Sequence, residues 1–277
     1  MPLVPTGPLV AGAAARGHGI GAFNVITVEH AEAIVSGAER AGLPVILQVS
    51  QNAVKFHGWR LGPIAAAGAA VAESSTVDVA LHLDHVERED LLHQAAEHRF
   101  GSAMFDASTL PYADNVAATR AAAEFCHRNG LWLESELGEV GGKDGAHAPG
   151  VRTDPAEARD FVAATGVDAL AVAVGSSHAM TDRSASLDHD LIGRLRGAVP
   201  VPLVLHGSSG VPDAELTAAV RAGMVKINIG TALNIAFTGA VRDTLADAAV
   251  VDPRRYLAPA RDAMADAVAH FLTVLAG

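Results

Sequence analysis

Apolar residues along the chain gather into eight short runs, at 20–25, 44–50, 78–84, 101–106, 131–137, 168–174, 201–206 and 223–229. A longer, mostly Ala-rich stretch follows each run, and Gly or Pro punctuates the chain between them. Strand-then-helix order repeated in this way predicts a parallel sheet, because each crossover is a helix. Eight such units within 277 residues predict an α/β fold, a closed (β/α)8 TIM barrel. A doubly wound open sheet fits less well, since no Gly-x-Gly-x-x-Gly turn follows the first run. No linker or low-complexity segment divides the chain, so the expectation is a single domain over 1–277. It carries an extra helix at each end: an N-terminal one with Thr6 as N-cap and a stop at Gly17 or Gly19, and a C-terminal one from Asp252 to Leu275.

Side chains alternate along a strand, so every second residue faces the barrel interior. In the third run Val79, Leu81 and Leu83 point to the helix layer, and Ala80, His82 and Asp84 point inward. In the fifth, Leu131, Leu133 and Leu137 point out, and Trp132, Glu134 and Glu136 point in. The seventh turns Val204 and His206 inward. The eighth turns Lys226 and Asn228 inward, with Val225, Ile227 and Ile229 outside. Asn24, Gln48, Ser50 and Asp106 face in by the same rule. An ordinary barrel core is branched aliphatic. Here the interior holds carboxylates, imidazoles and amides toward the C-terminal strand ends, where barrel enzymes place their active sites. Each buried ion costs several kcal/mol unless paired or metal-bound, so this interior calls for a cation or a ligand.

Composition narrows the chemistry. Half of the residues are hydrophobic and 18% are charged, which excludes a disordered chain. The net charge of −11 argues against nucleic acid or an anionic membrane as the partner. No apolar run has the length of a membrane span, and the N-terminus lacks the basic start of a signal peptide, so a cytoplasmic location is expected. One Cys against 13 His excludes a disulfide framework and a Cys-rich zinc ribbon. A metal here is therefore held by imidazole and carboxylate.

Three histidines sit where strands end: His85 after the third, His178 past the sixth and His206 at the end of the seventh. A barrel gathers those ends around one mouth, and three imidazoles with an open position describe a catalytic zinc site. Loop or core histidines satisfied by hydrogen bonds are the competing reading. That plainer role is assigned to His18, His30, His57, His93, His98, His127, His189 and His270.

The strings HLDH (82–85), MFDAS (104–108), ESELGEVGG (134–142), VGSSH (174–178), LHGSSGVP (205–212) and KINIGT (226–231) resemble the class II, metal-dependent ketose-bisphosphate aldolases. The likeness runs from GAFNV (21–25) to Phe237 in family order, closer to the tagatose- than to the longer fructose-bisphosphate branch. The resemblance implies a (β/α)8 barrel that reversibly cleaves a ketose 1,6-bisphosphate, fructose or tagatose, to dihydroxyacetone phosphate and glyceraldehyde 3-phosphate. It implies Zn2+ on His85, His178 and His206, polarising the C2 carbonyl and stabilising the enediolate. It makes Asp84 the acid/base at the C4 oxygen, with orientation of a ligand imidazole as that residue's alternative role. Asp106 and Glu136 resemble an auxiliary pair for a second divalent cation, or orient the ligands through hydrogen bonds. Asn24, Ser50, Ala179, Gly207, Ser208, Ser209, Asn228, Ile229, Gly230 and Thr231 are implied substrate and phosphate contacts. Backbone N–H groups near helix starts suit an anion. A homodimer or homotetramer is implied as well.

The chain also departs from the family. The glutamate that usually follows the double glycine is replaced by Lys143-Asp144, in a long Gly-rich loop with the composition of a lid. Asp144 is the expected residue for C3 proton exchange, with Glu139 and His147 as alternatives. Ala179-Met180 replaces the family's usual residues after His178, which bears on a monovalent cation there. Lys226 faces the cavity, and charge balance against Asp84 or Glu136, or attraction of phosphate, is expected of it rather than a Schiff base. The competing functions are an aldolase for another phosphorylated ketose, a zinc hydrolase of the same fold and a non-catalytic sugar-phosphate-binding paralogue. The first run, GAFNV, lacks the His-x-His of amidohydrolase barrels.

Overall fold

The computed structural model describes residues 2–137, 151–177 and 180–277. Eight parallel strands close into a barrel in sequence order. They are β1 (Ile20–Asn24), β2 (Val45–Ser50), β3 (Val79–Val86), β4 (Ser102–Phe105), β5 (Trp132–Glu136), β6 (Ala169–Ala171), β7 (Leu203–Leu205) and β8 (Met224–Ile229). β8 closes on β1 from Ile20↔Lys226 to Phe23↔Ile229. The helices are α1 (Thr6–Arg16), α2 (Val28–Ala41), α3 (Gln51–Phe56), α4 (Leu61–Ser74), α5 (Glu89–Ala95), α6 (Tyr112–Arg128), α7 (Pro155–Thr165), α8 (His189–Ala198), α9 (Asp213–Ala222), α10 (Thr231–Leu245) and α11 (Pro253–Ala276). No helix among the described residues is long and apolar enough to cross a membrane.

The predicted alternation sorts the core into two layers. Val79, Leu81, Leu83, Leu133, Leu205 and Ile227 face outward into the large cluster shared with the helices. Ile20, Ala22, Ile46 and Ala80 face inward, where Leu9, Val10 and Ala13 of α1 pack against them and close the N-terminal end. α2 and α11 cross closely at Gly37, where a Cβ would stand 2.5 Å from the Ala265 carbonyl oxygen.

Two local expectations are corrected. Thr6 is not the N-cap of α1. Pro5 holds that position, and Thr6 is the first helical residue, buried, its Oγ1 accepting from Ser102 Oγ at 2.7 Å. A side chain committed to the barrel floor cannot turn back to cap its own helix. Val225 does not join the outer layer: the β7–β8 register slips between Leu203↔Met224 and Val204↔Lys226, and Val225 packs on the inner cluster. One extra residue in a strand reverses the faces around it.

β6 and β7 are three residues each, shorter than their apolar runs. Past the sheet the backbone bonds to loops instead. Ala173 N donates to Thr153 Oγ1, Thr153 N to Ala173 O, and Asp188 N to Val174 O.

Candidate active site

The mouth at the C-terminal strand ends is built around an irregularity in β3. Pairing with β4 passes from Leu83↔Ala103 to Val86↔Phe105, so Asp84 and His85 together oppose Met104. His85 has φ 49°, a left-handed conformation costly for a residue with a Cβ. This bulge brings two consecutive side chains, Asp84 and His85, to one cavity, which a regular strand cannot do. His206 follows β7, and its ring lies edge-on to that of His85 with centroids 4.8 Å apart. One ligand atom each from Asp84, His85 and His206 lie within 4.8 Å of one another.

Beneath this trio runs a buried polar network. His85 Nδ1 is 3.1 Å from Asp106 Oδ2. His206 Nδ1 is 3.2 Å from Glu136 Oε2, and its Nε2 is 2.9 Å from Glu134 Oε1. Lys226 Nζ reaches Glu134 Oε2 at 2.8 Å and donates to Asn228 Oδ1 at 2.7 Å, with both members of the ion pair fully buried. Glu134 thus takes the charge-balancing role expected of Asp84 or Glu136. Ser102 Oγ gives its proton to Thr6, so it accepts from His82 Nδ1 at 2.8 Å. His82 Nε2 then faces Asp84 Oδ1 at 3.7 Å, and neither atom has a hydrogen-bond partner among the described residues.

The electrostatics follow from this packing. Burial opposes the charge on Asp84, yet His85, His82 and Lys226 hold its carboxyl far below the usual carboxylate range. Burial likewise opposes charge on Glu134, but Lys226 and His206 hold it down at about 2. Burial works against the His85 imidazolium too, and Asp84, Asp106 and Glu136 nevertheless raise it to about 10. His206 is raised against burial by its hydrogen bonds to Glu134 and Glu136. His82 is lowered by burial and by Lys226, which makes it a neutral imidazole. A site that favours charge on two neighbouring imidazoles, His206 buried and His85 partly so, is a site that stabilises a cation. The orphaned Asp84 Oδ1 and the converging N and O donors fit a divalent metal ion.

A cavity of about 690 Å³ opens above the network, within the range of small-molecule sites. Asn24, Ser50, Gly207, Ser208, Ser209, Asn228, Gly230 and Thr231 all line it, together with Asp84, His85 and Asp106. Their hydroxyls and amides differ in what they have left to offer. Ser208 Oγ is spent on the Leu205 carbonyl. Ser209 Oγ accepts from Gly230 N at 3.3 Å and Ala232 N at 3.0 Å, pinning the loop after β7 to the start of α10. Ser50 Oγ accepts from Ala53 N as the N-cap of α3. The Ile229 side chain sits in the outer apolar layer, which leaves only its backbone for a ligand. Gly207 has φ 65°, and a Cβ there would stand 2.5 Å from the Ser177 carbonyl oxygen, so the turn itself demands glycine. Gln48 donates to Asn24 Oδ1 at 2.9 Å and fixes that amide over the cavity.

His178, Ala179, Glu139, Asp144 and His147 lie outside the described residues. Several histidines given plainer roles have ordinary partners: His57 with the Ile26 carbonyl, His127 with Asp168, His189 with Glu215 and His270 with Asp213. Two features escaped the sequence reading. The β3 bulge leaves no compositional mark. The Glu134–Lys226 pair was within reach, since both residues alternate inward on their strands.

Comparison with known proteins agrees with this architecture. The family model described as fructose-bisphosphate aldolase class-II matches residues 4–277. A fructose-bisphosphate aldolase of Staphylococcus aureus is 37% identical over 272 residues, covering 97% of this chain and 95% of its own. The crystal structure of the YdjI aldolase from Escherichia coli K12 superposes with a TM-score of 0.87 at 31% identity, over 99% of this chain and 97% of that one. The fructose-bisphosphate aldolase of Campylobacter jejuni shares the fold, with a TM-score of 0.84 at 24% identity over 99% of this chain and 95% of its own.

Proposed function

This chain belongs to the class-II fructose-bisphosphate aldolase family and is an aldolase, and on that premise we propose that it reversibly cleaves a phosphorylated ketose to dihydroxyacetone phosphate and an aldehyde. The observation that carries the reading is the convergence of Asp84, His85 and His206 at the barrel mouth, above buried carboxylates. His85 and His206, with His178 as the third ligand, would hold Zn2+. A zinc ion there supplies Lewis-acid polarisation of a substrate carbonyl.

The chain's own residues do the rest. The loop after β7 and the start of α10 seat the C1 phosphate on backbone N–H groups and the helix dipole. Asp84, held ionised, takes the proton of the C4 hydroxyl as the C3–C4 bond breaks. The electron pair left on C3 then takes a proton from a residue of the 138–150 loop, with Asp144 ahead of Glu139 and His147. Asp106 and Glu136 each bond a different imidazole, which supports orientation of the ligands over an auxiliary cation site. The buried thiol of Cys126 is consistent with a cytoplasmic setting.

The resemblance implies a 1,6-bisphosphate of fructose or tagatose as substrate. The test measures cleavage of a ketose phosphate panel with and without chelator, alongside metal analysis. Chelation is expected to abolish cleavage and zinc to restore it. Asp84→Ala is expected to lose about 100-fold or more in kcat with the β7–β8 loops intact. Chelator-resistant cleavage, or near-normal turnover in that variant, overturns the mechanism.

A further inference from the structure

We infer that the buried Lys226 is a positioning residue for substrate binding. It occupies the amide oxygen of Asn228 and so turns the amide NH2 to the cavity, as a donor for an oxygen of the dihydroxyacetone phosphate half. The inference rests on the aldolase reading and on the C1 phosphate lying at the β7–β8 loops. Lys226 and Asn228 are two apart on β8, so their side chains share the inner face. Pairing with β1 sets Lys226 at the level of Ile20 and Asn228 above it, at the level of Ala22. The lysine stem therefore rises along the barrel wall to the amide.

An ammonium carries three donors and no acceptor, so the Asn228 atom that faces it must be the oxygen. Lys226 Nζ donates to Asn228 Oδ1 at 2.7 Å and lies 2.8 Å from Glu134 Oε2. Glu134 is held in turn by His206, whose Nε2 is 2.9 Å from Oε1. Lys226 and Glu134 are fully buried, so water does not compete for the ammonium. Turning the amide over would set its NH2 against Nζ, donor against donor, and leave the ammonium short of an acceptor. The amide thus has one orientation before any ligand arrives. Asn228 lines the cavity, and its Nδ2 has no partner among the described residues. It stands shortly before Gly230 and Thr231, at the end of the cavity given to the phosphate. A donor aimed in advance loses no freedom on binding, and it accepts only an oxygen with a lone pair to give. Lys226 acts on the ligand through that amide.

The experiment is a coupling cycle read by binding. Lys226→Met is made together with Glu134→Gln, so that no buried charge is left unpaired. Calorimetry gives the Kd of the zinc-loaded enzyme for dihydroxyacetone phosphate, with Asn228 and with Asn228→Ala, alongside zinc content and urea unfolding. The paired substitution is expected to weaken binding by about tenfold more with Asn228 present than in the Asn228→Ala background. A merely structural role for Lys226 would weaken both alike, and equal factors overturn the inference while leaving the aldolase reading intact. A second measurement is made on the wild-type enzyme. The side-chain 15NH2 signals of Asn228, assigned by their loss in Asn228→Asp, are expected to shift when dihydroxyacetone phosphate is added. Signals that stay in place overturn the donor role. A zinc-loaded wild-type enzyme that neither binds dihydroxyacetone phosphate nor cleaves any ketose phosphate overturns the aldolase reading and this inference with it.

Discussion

The lower and upper halves of the barrel interior are built from the same strands and obey opposite rules. β1 turns Ala22 inward and then Asn24, β2 Ile46 and then Gln48, and β3 Ala80 and then His82 and Asp84. β5 passes from Trp132 to Glu134 and Glu136, and β7 from Val204 to His206. Within one step of the inward alternation each of these five strands changes from apolar to polar. The lower half, with α1 packed beneath it, removes hydrocarbon from water and stabilises the fold. The upper half spends some of that stability on buried charge. Lys226 joins the halves: its backbone pairs at the level of Ile20, while its stem carries the ammonium up to Glu134.

The contrast breaks hardest at that ion pair. Lys226→Met strands a fully buried carboxylate and is expected to cost about 3–5 kcal/mol in urea unfolding. Adding Glu134→Gln should recover much of the loss; a single variant within 1 kcal/mol (roughly) of wild type would show that the pair is not what balances the interior. The same pair sets an acid limit. Glu134 is held at about 2, below its ordinary 4.5, so its contribution is complete above about 4.5 and is lost as the pH falls toward 2. An acid titration of unfolding free energy should be shallower in the double variant than in wild type, the remaining slope belonging to Asp84 and Asp106.

In the lower half, Ile46→Ala is expected to cost about 2–4 kcal/mol by leaving a cavity, with zinc content and kcat unchanged. A fall in zinc content comparable to the fall in stability would mean that the halves are not separable. The smallest expected effect lies at their junction. Ser102→Ala removes the acceptor of His82 Nδ1 and the link to Thr6, for about 1–2 kcal/mol. Because His82 faces Asp84, kcat should fall with it. Unchanged kcat at reduced stability would confine Ser102 to the floor.

Much of this is legible in the sequence. The inward placement of His82, Asp84, Glu134, Glu136, His206 and Lys226 follows from strand parity alone, because a period of two leaves a side chain no third direction. Parity failed where the register slips. Val225 lies at the β7–β8 shift, and His85 owes its aim to a bulge that alternation cannot anticipate. Thr6 has the chemistry of a cap, but burial against Ser102 outweighs its local preference. The two hydrogen bonds between Gln51, after β2, and Glu87, after β3, span two strand ends and exist only once the barrel is closed.

The sequence by itself determined the number of strands, the face each side chain takes and the exclusion of thiolate chemistry, all properties of local period and composition. Only the tertiary structure decided which inward groups meet: Glu134 with Lys226, Asp106 with His85, and Glu136 with His206. Pairing in a closed barrel depends on register and bulges that accumulate around the ring. Those are set by the packing of the whole chain rather than by any one segment of it.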